Sequence, residues 1–330
     1  MIITRTPYRI SFFGGSTDYQ SFYKDHGSIV IGTTIDKYCY SMCKNYIPLD
    51  EINYQVYYSS VEKVSLLNHI SNPGVRGTLE FLNEKIDDMK NIAIYIQNDL
   101  PARTGVGTSS SLIVGLLNGM YKLYNKYKIN KKQLALEAIE IERNRLKEPG
   151  GIQDQILAAY GGFNKIEINK DGTFSVKPLS ISEDFLEELR KCMIIFSTQT
   201  QRDSFKIAKS HDNKASEIYK KEILDMAKES ERYFNNEHIE NIGTLLEKSW
   251  QAKKRISNMI CNDYIDELHD SIIHNGAFGC KLLGSGQGGF LLCIAPPINR
   301  KKIIDSIKLP VVDVDFDNTG SSIIFKDNGV

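Results

Sequence analysis

The chain has 330 residues, 41% of them hydrophobic, so it is long enough for two domains of ordinary size, each with a buried core. Lysine plus arginine and aspartate plus glutamate both number 41, and this balance argues against nucleic acid or an anionic membrane as a partner. No leader-like start and no run of 18 uncharged apolar residues occurs, which predicts a cytoplasmic protein that binds a small polar ligand.

The first half of the chain mixes strand and helix patterns. Residues 1 to about 60 are rich in β-branched and aromatic residues, which predicts strands. Further along, periodicity predicts a helix at 78–85, a strand at 92–97 and a helix at 109–127. Asn130 is a plausible N-cap for another helix at 131–147, and Asp171-Gly172 marks a hairpin turn between strands within 161–178.

The second half is mainly helical from Glu183 onward. Helices are predicted at 214–234 and 238–256, and strands near 278–283, 290–294, 311–315 and 322–325. This order of elements predicts an α+β chain with a domain boundary near residue 180, which gives domains 1–180 and 181–330.

Near the N-terminus, a strand pattern runs into Phe13-Gly-Gly-Ser-Thr-Asp-Tyr19. The carboxylate of Asp18 could accept hydrogen bonds from two neighbouring sugar hydroxyls. The same residue types are also typical of a turn and helix cap. The residues alone leave both interpretations open.

A second segment, Pro101-Ala-Arg-Thr-Gly-Val-Gly-Thr-Ser-Ser-Ser111, leads directly into an apolar helix. Its glycines permit tight turns, and a helix N-terminus carries unpaired N–H groups and a partial positive charge that favour phosphate. An ordinary N-cap needs one hydroxyl residue, whereas this segment offers four in a row. The pattern favours a polyphosphate loop, and the missing lysine excludes the Walker A type.

A third segment carries candidate carboxylates, Glu142 at the edge of an apolar helix stripe and Asp154 after a Pro-Gly-Gly break. A carboxylate beside a buried stripe needs a cation or donors, because an unpaired buried charge is costly. The cation could be a metal ion, or Glu142 could form a structural ion pair with Arg143 or Arg145. Both hypotheses stay open.

A glycine-rich loop, Gly284-Ser-Gly-Gln-Gly-Gly289, stands between two strand patterns. It matches the spacing of dinucleotide-binding glycines, but no helix follows, so the pattern lacks the context of a Rossmann fold. A glycine loop between strands can still bring bare backbone close to phosphate groups.

Taken in this order, the three glycine- and hydroxyl-rich motifs resemble those of the GHMP kinase superfamily. The resemblance implies a two-domain fold, with an N-terminal mixed sheet with helices and a C-terminal ferredoxin-like α/β domain. It further implies ATP and Mg²⁺, with Ser109 and Glu142 as metal ligands, Asp154 as the catalytic carboxylate and Arg9 stabilising the transferred phosphoryl group. The residues expected to bind ATP are Arg103, Thr104, Gly105, Gly107, Thr108, Ser109, Ser110, Ser111 and Gly286.

Within that superfamily, the motifs are most similar to kinases that act on the anomeric C1 hydroxyl of D-glycero-D-manno-heptose 7-phosphate. Galactokinases carry Gly-Glu-His where this chain has Gly14-Gly-Ser16, which argues against galactose. The residues expected to bind the sugar phosphate are Gly15, Ser16, Asp18, Thr198, Arg202 and Ser204. Arg202 is expected at the distal phosphate, with a surface pair to Asp203 as the alternative.

Two alternative functions remain. A kinase of an unphosphorylated fucose- or hexose-type sugar would use the same motifs. A binding protein that had lost catalysis is expected to lack the metal and carboxylate positions, and Ser109, Glu142 and Asp154 are all present.

Overall fold

A computed structural model describes residues 1–49, 51–102, 104–125, 129–200, 204–211 and 214–327. The strands in this part of the chain are β1 (Ile2–Phe13), β2 (Ser28–Asn45), β3 (Tyr54–Tyr57), β4 (Val61–Val64), β5 (Ile92–Asn98), β6 (Asn164–Ile168), β7 (Phe174–Pro178), β8 (Met193–Ser197), β9 (Gly279–Leu282), β10 (Phe290–Ile294), β11 (Phe316–Asp317) and β12 (Ser322–Lys326). The α-helices are α1 (Gln20–His26), α2 (Pro73–Asn83), α3 (Thr108–Leu123), α4 (Lys131–Ile139), α5 (Gln153–Tyr160), α6 (Glu183–Cys192), α7 (Ser204–Ser210), α8 (Glu217–Asn235), α9 (Ile239–Lys254), α10 (Asp263–His274) and α11 (Pro297–Ile307).

A mixed sheet forms the first layer, in the order β12-β1-β2-β5-β3-β4. The long strand β2 pairs with β1 along its length, with β6 near its start and with β5 near its end. Strands β3 and β5 are parallel, and the other pairs are antiparallel. Helix α3 packs on β1 and β2, so the N-terminus of α3 lies beside the strand that carries Arg9.

A second, three-stranded sheet has the order β8-β10-β9. After α11 the chain returns beside β8, where Val311 makes a single antiparallel bridge to Phe196. This is the ferredoxin-like order, with the fourth strand reduced to one bridge. The fold is therefore the expected α+β fold.

The predicted strand at 311–315 is wrong beyond that bridge. Val312 donates its N–H to the carbonyl of Ile195, but at Asp315 the partner is Asp36 of β2: the Asp315 carbonyl accepts from the Asp36 N–H, and the Asp315 N–H donates to the Asp36 carboxylate. The segment crosses from one sheet to the other and cannot pair along either. Strands β11 and β12 then complete the first sheet, and the boundary near 180 stays a prediction.

One predicted helix has different limits, and the predicted start of another is confirmed. The helix predicted at 78–85 begins at Pro73, because the Asn72 side chain accepts from Val75 N–H (3.1 Å) and caps it. Asn130 caps α4 as predicted, accepting from Gln133 N–H (2.8 Å). Among the described residues, no helix has the length and apolar character needed to cross a membrane.

Candidate active site

A cleft of about 1640 Å³ is bounded by β1, the start of α3, α7 and the loop between β9 and β10. Residues from both sheets therefore line one space. Among the charged and titratable side chains in its wall are Arg9, Asp18, Glu142, Arg143, Asp154, His211, Lys253 and Lys281.

The loop between β5 and α3 presents backbone and hydroxyl groups to this cleft. Gly107 occupies the N-cap of α3 with φ +80°, a left-handed conformation that glycine adopts without strain. No side chain makes the cap hydrogen bond, so capping does not account for the hydroxyl residues that follow. The residues predicted to bind ATP that line the cleft are Gly105, Gly107, Thr108, Ser109 and Ser110.

Two other residues predicted to bind ATP, Thr104 and Ser111, are not among the residues that line the cleft. The Thr104 hydroxyl donates to the carbonyl of Pro101 (2.7 Å), and the Ser111 hydroxyl donates to the carbonyl of Pro7 (2.8 Å). The first hydrogen bond closes a turn within the loop, and the second attaches the start of α3 to β1. Arg103 lies outside the described residues.

Gly286 is predicted to bind ATP and Thr198 to bind the sugar phosphate, but neither is among the residues that line the cleft. A Cβ on Gly286 would approach the carbonyl of Ile260 to 2.6 Å, so this glycine packs against backbone. The buried Thr198 hydroxyl bonds to the N–H and carbonyl of Gly289 (2.8 and 3.0 Å), which fixes the glycine loop. The structure therefore does not bring these two residues to the cleft. Arg202 and the side chain of Ser204 are outside the described part of the chain.

Glu142 is 1% exposed and is surrounded by neutral donors. Its Oε1 accepts from the hydroxyl of Ser109, and its Oε2 accepts from the hydroxyl of Ser110 (2.6 Å) and the amide of Gln155. The guanidinium of Arg143 is 4.0 Å from Oε2. The predicted pair of Ser109 and Glu142 is thus brought together, and Gln155 is a partner that sequence reasoning missed.

Glu142 lies in an irregular helical turn. The helix predicted to reach residue 147 ends at Ile139 and continues as a π-helical turn over Glu140–Arg145. Such turns are frequent at functional sites. Arg145 instead pairs with the exposed Glu84 (2.6 and 2.7 Å), so the hypothesis of an Arg145–Glu142 pair is wrong.

The donor set around Glu142 fits Mg²⁺. The hydroxyl of Ser109 and the carboxylate of Glu142 are hard oxygen ligands, and they already lie in contact. Within the described residues, no cluster of three or more His, Cys, Asp and Glu side chains could hold a metal alone. Mg²⁺ commonly uses one or two protein ligands and takes the others from phosphates and water.

Arg9 and Asp154, both predicted to be catalytic, form a bidentate ion pair. The Nε and Nη2 of Arg9 donate to the two carboxylate oxygens of Asp154 at 2.8 and 2.7 Å. Nη1 of Arg9 donates to the carbonyl of Gly105 (2.5 Å), which joins the pair to the loop between β5 and α3. Arg9 is almost fully buried, whereas the Asp154 side chain is 22% exposed toward the cleft. Two charged groups are thereby fixed beside the loop.

The Gly-Gly-Ser-Thr-Asp segment is both a turn and part of the cleft wall. Thr17 closes the turn, because its N–H and hydroxyl both donate to the carbonyl of Gly14 (3.1 and 2.7 Å). Gly15, Ser16 and Asp18 line the cleft. The turn is therefore present, and sugar binding by Asp18 stays a prediction.

Asp18 is fully buried, and its two carboxylate oxygens differ in their contacts. Its Oδ2 accepts from Gln153 N–H (3.1 Å), and its Oδ1 has no hydrogen-bond partner in the described part of the chain. Burial, and then the nearby charge of Asp154, raise the pKa of Asp18. A Cβ on Gly151 would lie 1.8 Å from Oδ2, so only glycine admits the carboxylate at this position.

His211 is a cleft residue that sequence reasoning missed. The ring is 1% exposed and stacks on Tyr19 with 5.4 Å between centroids. Nε2 lies 2.9 Å from the carbonyl of Ser285, which can only accept, so Nε2 donates there. In a neutral ring, Nδ1 then accepts from the Ser16 hydroxyl at 3.0 Å. The ring thereby joins the N-terminal turn to the glycine loop, and no local sequence signal marks it.

Lys281 is a second residue without a predicted role. It is 4% exposed, lines the cleft, and donates from Nζ to the carbonyls of Ser11 (3.1 Å) and Phe12 (2.8 Å). Burial, and then the positive charge of Arg9, lower the pKa of Lys281 to about 7. A lysine inside the otherwise uncharged strand Gly279–Leu282 was the available signal.

Known proteins share this fold and these sequence patterns. The crystal structure of a D-glycero-D-manno-heptose 1-phosphate kinase from Bacteriodes thetaiotaomicron superposes with a TM-score of 0.83, at 20% identity, over 99% of this chain and 100% of that one. The D-glycero-alpha-D-manno-heptose 7-phosphate kinase of Campylobacter jejuni is 28% identical over 324 residues, 93% of each chain. The galactokinase of Pyrococcus furiosus is 24% identical over 93% of this chain and 92% of that protein.

Two family models match the chain. The GHMP kinases N terminal domain matches residues 74–162, which include the phosphate loop, Glu142 and Asp154. The GHMP kinases C terminal model matches residues 227–311, which include the glycine loop. Together they span more than half of the chain, and with the similarity to the two sugar kinases they show that it belongs to the GHMP kinases and is a sugar or sugar-phosphate kinase.

Proposed function

We propose that this chain transfers the γ-phosphoryl group of ATP to the anomeric C1 hydroxyl of D-glycero-D-manno-heptose 7-phosphate and forms the 1,7-bisphosphate. The observation that carries the proposal is one cleft lined by the glycine and hydroxyl loop before α3, the Ser109–Glu142 pair, the Arg9–Asp154 pair and Asp18, whose Oδ1 has no partner among the described residues. The similarity to a heptose 7-phosphate kinase over 93% of both chains supports the choice of sugar.

Each residue has a defined part in this reaction. Asp18 accepts hydrogen bonds from sugar hydroxyls through its open Oδ1. Asp154 takes the proton of the C1 hydroxyl as the sugar oxygen bonds to the γ-phosphorus, while the bond from that phosphorus to the β–γ bridging oxygen breaks and ADP leaves. Arg9 stabilises the charge of the transferred group, and the amides at the start of α3 bind phosphate oxygens.

Ser109 and Glu142 would hold Mg²⁺ at the start of α3. When bound there, the ion would neutralise charge on the phosphates of ATP. The Ser110 hydroxyl and the Gln155 amide keep the Glu142 carboxylate in place, because both donate to Oε2. Cytoplasmic location and the assignment of Arg202 to the distal phosphate remain predictions from the sequence.

The test is a substrate panel with ATP and Mg²⁺. Heptose 7-phosphate, free heptose, galactose and a no-sugar control would be compared by ADP release and product mass. Phosphorylation at C1 removes the reducing end, so the product should lose its reaction with a reducing-sugar reagent. A product that still reduces the reagent would overturn the C1 assignment, and ADP release independent of sugar would overturn the kinase assignment.

A second candidate is a kinase of an unphosphorylated sugar. The similarity to the Pyrococcus furiosus galactokinase over nearly the whole chain favours it. In this case free heptose or a hexose would be turned over with a higher kcat/KM than heptose 7-phosphate in the same panel.

A further inference from the structure

One face of the larger sheet carries an apolar row that crosses the strands β12, β1, β2, β5, β3 and β4. Neighbours in the row are paired residues of adjacent strands, so their side chains lie side by side on the same face. In that strand order, the row consists of Phe325, Ile3, Met42, Tyr95, Tyr57 and Val61. The rings of Tyr57 and Tyr95 stack with 4.3 Å between centroids. The apolar row therefore spans six strands without a polar interruption.

The apolar row lies on the face of the sheet that is opposite helix α3. The Thr4 hydroxyl of β1 donates to a glycine carbonyl of α3 (3.1 Å), and the Cys43 sulfur of β2 lies 3.5 Å from the position of a Cβ on another glycine of α3. Thr4 and Cys43 therefore point toward the helix. Because side chains alternate along a strand, Ile3 and Met42 point to the other face.

This face is unusual for a sheet with one side in water. Such a sheet normally alternates apolar residues on the covered face with polar residues on the open face. In the apolar row, Val61 is 64% exposed, Phe325 is 43% exposed, and the four residues between them are partly exposed. An apolar strip of this length on a surface indicates a contact with another molecule.

The size of the face fits a contact between proteins. Six strands about 4.8 Å apart span about 24 Å, and residues 93–99 rise about 20 Å along the sheet, so the face has about 500 Å² on each molecule and about 1,000 Å² in a symmetric pair. A stable interface begins at about this area. The internal stretches outside the described residues are one to three residues long, too short to cover the row.

Opposite charges lie on the two sides of the apolar row. Lys44 and Lys63 are on one side, at the level of Ala93 of β5. Asp99 is on the other side, directly after the end of β5, and its even spacing from Tyr95 keeps it on the same face. Within the described part of the chain, none of these three charged groups has an ion-pair partner. The face is therefore positive along one side and negative along the other.

A twofold axis along the row would bring these opposite charges together. In an isologous dimer both copies use the same surface, related by an axis in the plane of contact. With the axis along the apolar row, each strand lies opposite its own copy, and the Asp99 side of one copy faces the lysine side of the other. Arg5, also on the Asp99 side, is two strands from β5 and lies over a tyrosine ring (4.5 Å).

We propose that a second copy of this chain covers the apolar row, in a symmetric dimer whose twofold axis runs along the row. The row forms the apolar centre of the contact, and Asp99, Lys44 and Lys63 form its charged rim. None of these residues has a part in the proposed reaction, so dimerisation and kinase function are tested separately.

The variants Val61→Lys and Phe325→Lys test the apolar row. Both side chains are exposed in the single copy, so the circular dichroism spectrum should stay unchanged. Sedimentation velocity from low to high micromolar protein should show a dimer for the wild type. Each change should raise the Kd of that dimer at least about tenfold, because symmetry places two lysines in an apolar contact.

Ile298→Lys is the matched control. Ile298 is 87% exposed on α11, outside the face that carries the row. This change adds the same charge at an equally accessible apolar position, and it should leave the Kd of the dimer at the wild-type value.

Charge reversal tests the orientation of the two copies. Lys44→Glu combined with Lys63→Glu should raise the Kd at least about tenfold, because Asp99 would then face like charges. Adding Asp99→Lys should bring the Kd back toward the wild-type value. Asp99 also accepts from Tyr38 N–H (2.9 Å) and lines the cleft, so the readout for this variant is mass rather than activity.

Three results would overturn the dimer. The first is a wild type that stays monomeric at the highest concentration, and the second is a dimer whose Kd is the same in both row variants. The third is a charge-reversed protein whose association is not strengthened by Asp99→Lys. Absence of sugar phosphorylation in the same samples would count against the proposed function alone.

Discussion

Replacing Asp154 by asparagine tests the catalytic assignment most directly. The amide is nearly the same size as the carboxylate, so the packing of α5 is kept while the negative charge and the proton acceptor are lost. In the folded protein each Asp154 oxygen accepts one hydrogen bond from Arg9, and an amide offers only one acceptor. Arg9 retains its hydrogen bond to the carbonyl of Gly105.

The size of the effect follows from these contacts. Loss of proton acceptance by a positioned group should lower kcat about 10²-fold or more, which corresponds to about 2.7 kcal/mol of transition-state stabilisation. One charge-assisted bond to Arg9 is also lost, and since the Asp154 side chain is 22% exposed, unfolding should become easier by only about 1–2 kcal/mol. The Kd for ATP should hardly change, because among the described residues the hydrogen bonds of the Asp154 carboxylate go to Arg9 and not to a hydroxyl of the loop before α3.

The assay compares steady-state kcat, nucleotide affinity by fluorescence titration and urea unfolding for Asp154→Asn and for Glu84→Gln. Glu84 makes the same bidentate contact with Arg145 on an exposed surface, so this control changes an acid to an amide away from the cleft. The control should keep wild-type kcat. Near-normal turnover of Asp154→Asn would refute its catalytic role, and a parallel loss of ATP affinity would show that the change acts through the loop.

Three further predictions concern the metal, a glycine and a buried lysine. Glu142→Gln and Ser109→Ala should each raise the Mg²⁺ concentration for half-maximal rate; an unchanged Mg²⁺ dependence with a large drop in melting temperature would instead indicate a structural role. Gly151→Ala should lower sugar affinity more than ATP affinity in binding titrations, because its Cβ would lie 1.8 Å from the carboxylate of Asp18. In the folded protein the pKa of Lys281 is lowered to about 7. Between about pH 7 and 10, this lysine is therefore protonated in the unfolded chain but neutral in the folded one, so the destabilisation that it causes becomes smaller as pH rises. The free energy of unfolding of Lys281→Met minus that of wild type, measured in urea, should therefore be about 2–3 kcal/mol larger at pH 6 than at pH 9. A difference between variant and wild type that does not vary with pH would contradict the lowered pKa.

The sequence predicted the parts of the site that depend on local patterns. The glycine turn before α3, the cap at Asn130 and the strand at 92–97 follow from turn residues and periodicity over short windows, whereas phosphate binding by that turn stays a prediction. The pairing of Ser109 with Glu142 required the resemblance to a known family, because 33 residues separate them.

The remaining contacts join distant parts of the chain. Lys281 bonds to residues about 270 positions earlier, and His211 bonds to Ser16 across 195 positions. No local pattern encodes such contacts, since they arise only when the two sheets pack together. The π-helical turn over Glu140–Arg145 was also missed, because its residues fit an ordinary helix period.

The pairing of β12 with β1 has a consequence for the order of assembly during translation. The residue Asp327 donates its N–H to the carbonyl of Met1, so β1 is covered along one edge by β12, which is made much later. At 5–20 residues per second, roughly 15–60 seconds of synthesis separate the two strands. During that interval the nascent strand carrying Arg9 has an open edge, and an open edge can pair with other chains. Ribosome-bound intermediates of this kinase should therefore need chaperone protection until residues 322–326 have emerged.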